Sequence, residues 1–279
     1  MSSISDQKPK LAVFKFASCD GCQLSLLDCE TELLELAATV DISYFLEASS
    51  RALPGPYEIA LADGSITTEE DVRRIREIRS QSKVLVSIGA CAVAGGIQAL
   101  RNYTSVEEYA RYVYPKPEYI RSLETSTPMS KHVKVDFALN GCPVNKSQLF
   151  EVIVAVLQNR RPNVAPYSQC VDCKIKGNIC VMVAHGVPCL GPITHSGCGV
   201  LCPSFNRGCY GCFGPKETPN AASLGNWFIK EMHVTPMTVE RALRSYYSGS
   251  DLMKTASEEF GATRQNFGPN PAPFNPKNE

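Results

Sequence analysis

Thirteen cysteines in a chain of 279 residues constrain this protein more than any other feature. Eight of them crowd between Cys170 and Cys212, and the others stand apart at Cys19, Cys22, Cys29, Cys91 and Cys142. Structural disulfides are rare in a reducing cytosol, and a secreted disulfide scaffold is usually shorter and carries an export signal. The start, Met1 to Lys10, has no apolar run and no twin arginine, and Leu11–Phe16 is too short for a signal-peptide core. No stretch approaches the roughly 20 apolar residues needed to span a bilayer. The expectation is therefore a cytoplasmic protein whose thiols bind metal. Lys plus Arg equals Asp plus Glu at 28 each, so no net field draws in nucleic acid or a membrane surface, and neither is an expected partner.

Hydrophobic patterning places the thiols. Leu11–Phe16, Ile42–Glu47, Tyr57–Ala62, Lys83–Ile88 and Val133–Ala138 are short apolar or β-branched runs that read as strands. Between them, Leu24, Leu27, Leu33, Leu34 and Leu36 suit an amphipathic helix, and Val72, Ile75 and Ile78 mark one face of a helix over Glu69–Ser80. Thr67 with Glu70 supplies a capping-box start for the latter. Lys146–Gln158 is apolar on most sides and reads as a packed helix. Strands alternating with helices predict an α/β fold with a mainly parallel, doubly wound sheet over residues 10–165, after a flexible start at 1–9. Near Arg160 the texture changes to Gly, Pro and Cys through about Pro215, a segment that buries little apolar surface and that bound metal can hold; a second domain is expected from 166 onward. Helices return at Thr238–Ser248 and around Leu252–Phe260, and the tail from about 266 reads as irregular.

Cys19 and Cys22 follow the first expected strand, Cys91 the fourth and Cys142 the fifth. All four therefore fall at strand carboxyl ends, the edge where open α/β sheets collect ligands. Four thiolates suit the tetrahedral irons of a cubane cluster, and neighbouring glycines let backbone N–H groups approach sulfur. Asp63-Gly-Ser at the same edge reads equally well as a source of hydrogen-bond donors near the site or as an ordinary turn and helix cap.

The remaining eight divide by order into Cys170, Cys173, Cys180, Cys189 and Cys198, Cys202, Cys209, Cys212, although neighbouring clusters can exchange ligands. A thioredoxin-like pair would explain Cys19 and Cys22 but not Cys91 or Cys142. Zinc competes for the two later sets; the lack of zinc-ribbon spacing and the third, strand-edge set favour iron–sulfur. Cys29 reads as a small buried apolar thiol on the first helix, and His185 and His195 as loop residues near the sites.

The motifs Ser18-Cys-Asp-Gly-Cys-Gln-Leu24, Asp63-Gly-Ser, Gly89-Ala-Cys-Ala, Asn140-Gly-Cys-Pro, Pro188-Cys-Leu-Gly-Pro-Ile-Thr and Cys209-Tyr-Gly-Cys-Phe-Gly resemble the small subunit of [NiFe] hydrogenases. The chain looks most like the delta subunit of cytoplasmic, NAD(P)-linked members, the sulfhydrogenase branch. The resemblance implies a flavodoxin-like first domain and a cluster-bearing second one over 166–279. It assigns Cys19, Cys22, Cys91 and Cys142 to a proximal cluster, Cys198, Cys202, Cys209 and Cys212 to a medial one, and Cys170, Cys173, Cys180 and Cys189 to a distal one. Relatives outside this branch use a distal histidine and three medial cysteines. Cys170 and Cys202 fill those places here, so three [4Fe–4S] clusters and no [3Fe–4S] cluster are implied. Hydrogen would be split on the large subunit, and this chain would pass electrons to iron–sulfur and flavin/NAD(P)-binding diaphorase subunits. A respiratory-complex iron–sulfur subunit shares the first domain but has adjacent cysteines in its first motif, and a zinc-stabilised scaffold would have no redox role.

Overall fold

The computed structural model describes residues 8–262. The expected irregular tail and most of the expected flexible start lie outside them. Five strands, β1 (Lys10–Lys15), β2 (Asp41–Phe45), β3 (Tyr57–Asp63), β4 (Ser82–Ile88) and β5 (Phe137–Leu139), form one sheet. Every pairing is parallel, and the order is β2-β1-β3-β4-β5. This is the flavodoxin-like arrangement, with its reversal of strand order between β1 and β3.

Alternation along the strands fills both faces. Leu11, Val13, Ile59, Leu61, Val86 and Ile88 point to one side, where α1 (Gly21–Leu27), α2 (Glu30–Thr39) and the later helix at Lys146–Leu157 cover them. Ala12, Phe14, Ala60, Ala62 and Leu85 point to the other, under Val72, Ile75 and Ile78 of α3 (Glu69–Gln81). Strands buried on both faces are what parallel βαβ crossovers produce.

Four local expectations need correction. The first helix is two: Asp28 ends α1, Cys29 opens α2, and Glu30 takes a positive φ of 23°. The break turns Leu24 and Leu34 outward, 50% and 74% exposed, while Leu26 and Leu36 stay buried. The capping box of α3 sits one residue later than expected: Asp71 N–H donates to Thr68 Oγ1 at 3.1 Å, and Thr68 N–H to Asp71 Oδ2 at 2.9 Å. β5 starts four residues later than expected, because the Asp136 carboxylate, paired with Arg79, takes the Leu85 N–H at 2.9 Å and so replaces a ladder bond. The helix expected over Thr238–Ser248 ends at Leu243.

After β4 come α4 (Gly89–Ala94), α5 (Val106–Val113) and, past β5, α6 (Lys146–Leu157). Residues beyond 165 form the short helices α7 (Gln169–Ile175), α8 (Val181–His185) and α9 (Leu201–Ser204), then α10 (Ala221–Met232), α11 (Pro236–Leu243) and α12 (Asp251–Ala262). A third apolar cluster joins Leu190, Phe228, Leu243 and Phe260 of this part to Ala90 and Ala94 of α4, and Asn145 Nδ2 donates to Gly197 O at 2.8 Å across the same junction. Among the described residues, no helix is long and apolar enough to cross a membrane.

Candidate metal centres

All thirteen cysteines are free thiols. The carboxyl edge of the sheet brings four of them together. Beyond β1, Ala17 pairs with Ser65 through hydrogen bonds of 3.2 and 2.9 Å, which ties the loop carrying Cys19 to the turn after β3. Cys22 lies in the first turn of α1, Cys91 in α4 after β4, and Cys142 in the turn after β5. Cys22 is electrostatically coupled to Cys91 and Cys142, and Cys91 and Cys142 both to Cys19.

Glycines make this convergence possible. A Cβ on Gly89, whose φ is +84°, would lie 2.3 Å from Cys22 Sγ, and one on Gly96, at φ +64°, 2.5 Å from Cys91 Sγ. Neither approach is open to a residue with a side chain. Asp63, at the end of β3, is 1% exposed, and its Oδ2 has no hydrogen-bond partner. Burial pushes its carboxyl up to about 6, against the opposing pull of Ser18, Gln23 and the Gly64 N–H. Gln23, beside Cys22 and equally buried, acts on the Asp63 carboxyl, yet its Nε2 makes no hydrogen bond of ordinary geometry. A buried amide N–H without an acceptor is costly in a packed protein and is the kind of donor that cluster sulfur accepts.

The other eight thiols form a second and a third set. Cys170 is coupled to Cys189, Cys173 and Cys180, and a Cβ on Gly191 would lie 3.3 and 3.4 Å from the sulfurs of Cys189 and Cys170. Cys212 is coupled to Cys198, Cys142 and Cys202 in that order. Cys209 stands between the two: its N–H donates to Cys189 Sγ at 3.1 Å, its own sulfur accepts the Gly211 N–H at 3.4 Å, and both Cys189 and Cys212 act on it. The backbones cross so tightly there that a Cβ on Gly208 would meet Pro188 O at 1.8 Å. The sets therefore adjoin one another, through the influence of Cys142 on Cys212 and the contact of Cys209 with Cys189.

Burial is the first cause of every resolved thiol shift. It pushes Cys91 and Cys170 up to about 11, Cys209 and Cys212 up to about 12, and Cys22 above the ordinary thiol range. Neighbouring thiols raise them further, so thiolates gathered in these spaces need compensating positive charge, such as a bound metal supplies. Among the described residues, no group of three or more His, Cys, Asp or Glu side chains is arranged to hold a single metal ion. Around one tetrahedral zinc, with Zn–S of about 2.3 Å, the sulfurs would stand about 3.8 Å apart. A cubane instead seats each thiolate on its own iron.

Cys29 is apart from all three sets, buried, with its thiol donating to Ser25 O at 3.1 Å. His185 is exposed at the end of α8, and His195 is half-buried, with burial lowering its pKa. Sequence reasoning missed Tyr246, which feels Cys142, Cys212 and Cys202, and Tyr247, which feels Cys212, Cys22 and Cys142; no local pattern marks them.

Residues 19–156 match the family described as NADH ubiquinone oxidoreductase, 20 Kd subunit. Over 237 residues, 85% of this chain and 98% of its relative, the sequence is 35% identical to sulfhydrogenase 2 subunit delta of Pyrococcus furiosus. Among solved structures, a chain of an NAD+-reducing [NiFe]-hydrogenase in the H2-reduced state superposes with a TM-score of 0.52 at 29% identity, covering 56% of this chain and 95% of that one. A chain of the actinobacterial-type NiFe-hydrogenase of Ralstonia eutropha H16 covers 97% of this chain and 94% of its own length, with a TM-score of 0.55 at 15% identity, which shows a common fold.

Proposed function

The chain belongs to the family of hydrogenase small (delta) subunits, and from that premise we propose that it carries electrons for a [NiFe] hydrogenase through three four-thiolate [4Fe–4S] sites. The observation that supports this reading is that the thiols adjoin from one set to the next, Cys142 acting on Cys212 and the Cys209 N–H donating to Cys189 Sγ; on this reading the sets are Cys19, Cys22, Cys91 and Cys142, then Cys198, Cys202, Cys209 and Cys212, then Cys170, Cys173, Cys180 and Cys189. Cys142 beside Cys212 and Cys209 beside Cys189 give proximal, medial and distal sites in that order. On this reading residues 10–165 hold the proximal site and residues from 166 onward the other two.

When bound, a [4Fe–4S] cluster takes up or releases one electron at a time. The chain's residues do the rest. Thiolates fix the irons, and Gly89 and Gly96 leave room for Cys22 and Cys91. The nickel–iron site belongs to the large subunit, where hydrogen yields two protons and two electrons; this chain is not the catalytic subunit. Cys19 and Leu24 are exposed at the proximal end, where the large subunit would cover them. At the far end Cys180 is exposed, with Ile175, Ile179 and Val183 bare around it. A face of this kind fits a permanently bound iron–sulfur or flavin/NAD(P)-binding diaphorase subunit as electron acceptor. A reducing cytoplasm suits thirteen thiols.

A respiratory-complex subunit shares the family match over residues 19–156, but Cys19 and Cys22 are separated by two residues and the eight later thiols have no place in that reading. Iron and sulfide analysis of anaerobically purified protein decides against the scaffold alternative. About twelve irons, four for each cubane, are expected; colourless protein with two or three zincs would overturn the proposal.

A further inference from the structure

Tyr247 lies outside every motif that binds the sets, yet it touches the backbone of two of them. It is 3% exposed. Its hydroxyl accepts the Gly141 N–H at 3.1 Å and donates to Asn140 Oδ1 at 3.1 Å, so it grips the turn that delivers Cys142. Its ring packs against Gly214, where a Cβ would come within 2.4 to 2.8 Å of three ring carbons. Gly214 follows Cys212 by two residues and is at φ +72°, so the turn that carries Cys212 is shaped to receive this ring.

The next residues hold Tyr247 in place. Ser248 Oγ donates to Gly96 O at 3.4 Å, and Ser248 O accepts the Tyr103 hydroxyl at 3.1 Å. A Cβ on Gly249 would lie 2.2 Å from Ala94 O. Gly96 is the residue that leaves room for Cys91. One short segment after α11 is thus keyed to the loops carrying Cys91, Cys142 and Cys212.

We propose that Tyr247 is a positioning residue for electron transfer between the proximal and medial sites: its hydroxyl locks the Asn140–Cys142 turn, its ring backs the Cys209–Gly214 turn, and the rigid side chain fixes the gap between them. The inference rests on the proposed function, because the gap matters only if both sets hold clusters. An aromatic ring with two rotatable bonds suits the task, since it spans a distance with little freedom to vary it. A phenol between two centres also excludes water there, which keeps the local dielectric low.

The test uses the assembled complex with Tyr247→Phe and Tyr247→Leu, purified anaerobically and measured for iron before anything else. Tyr247→Phe keeps the ring and loses the grip on Gly141. It is expected to shift the reduction potential of the proximal centre while leaving the medial one unchanged, and to slow hydrogen-dependent dye reduction several-fold. Tyr247→Leu loses the spacer as well and is expected to alter the magnetic coupling between the two reduced centres in paramagnetic resonance spectra. Iron loss confined to the first set in either variant supports the proposal, whereas uniform loss from all three sets counts against it. Full iron in Tyr247→Phe with unchanged potential, coupling and rate overturns it, whatever Tyr247→Leu does. Wild-type complex lacking iron would instead sink the underlying reading.

Discussion

Gly89→Ala tests the first site most sharply, because two separate costs can be read from the structure. The new Cβ would lie 2.3 Å from Cys22 Sγ, and a contact that close forces the sulfur or the α4 backbone to move. Overpacking of this kind costs about 1–3 kcal/mol. The φ of +84° adds strain for any L side chain, on the order of 1–2 kcal/mol. The sum, roughly 2–5 kcal/mol, is a large fraction of a domain's net stability. Gly177→Ala separates the two terms: Gly177 has a similar φ of +74°, but nothing lies within 4 Å of its Cβ position. Denaturant unfolding should therefore show a loss for Gly89→Ala larger than for Gly177→Ala by the overpacking part alone. Because the displaced atom is a proposed iron ligand, Gly89→Ala should also fall from about twelve irons to about eight, while Gly177→Ala keeps its iron. Equal losses of stability and full iron in both variants would refute the claim that Gly89 exists to admit the Cys22 sulfur.

Cys19→Ser should remove the first centre and abolish hydrogen-dependent dye reduction, whereas Cys29→Ser, which can keep its donor to Ser25 O, should cost under about 2 kcal/mol and leave activity intact; the paired activity assay decides. Burial raises Asp63 to about 6 from its ordinary 3.8, so its folded-state contribution is intact below about pH 4 and lost as pH rises through 6. Asp63→Asn should accordingly stabilise the cluster-free chain by about 3 kcal/mol above pH 6 and by little at pH 4, measured as denaturation midpoints at both. Asn145 caps α6 through the Gln148 N–H at 3.1 Å and also reaches Gly197 O, while Asn220 caps α10 through the Ser223 N–H at 2.9 Å and does nothing more. Each alanine variant should lose about 1 kcal/mol for its cap, and Asn145→Ala about 1 kcal/mol more for the bond across the junction, by thermal or denaturant unfolding.

The strands and the edge where the first four cysteines converge were legible because short apolar runs and helical crossovers leave few alternatives for a parallel sheet. What misled were residues whose side chains replace backbone bonds. Asp136 takes a ladder hydrogen bond from Leu85 and delays β5, and nothing in Val133–Asp136 announces it. The break at Asp28–Cys29 falls within a run of helix-compatible residues, so periodicity carried a single helix across it. The helix over Ala221–Met232 went unread although Asn220 caps it and Leu224 and Phe228 share a face; Gly225 in its middle, pressed against Phe260, weakened the pattern. Sequence order grouped Cys209 with Cys198, Cys202 and Cys212, whereas in space it also leans on Cys189. The place of Tyr247 between two sets depends on contacts between residues more than 100 apart, which no local pattern encodes.

The most direct measurement is anomalous X-ray scattering from anaerobically grown crystals of the assembled complex, recorded on both sides of the iron edge and at the zinc edge. Three compact iron peaks in a row, enclosed in order by the Cys22, Cys212 and Cys170 sets, are the predicted result. Zinc at any set, fewer than three iron centres, or sulfurs joined in pairs would contradict the account.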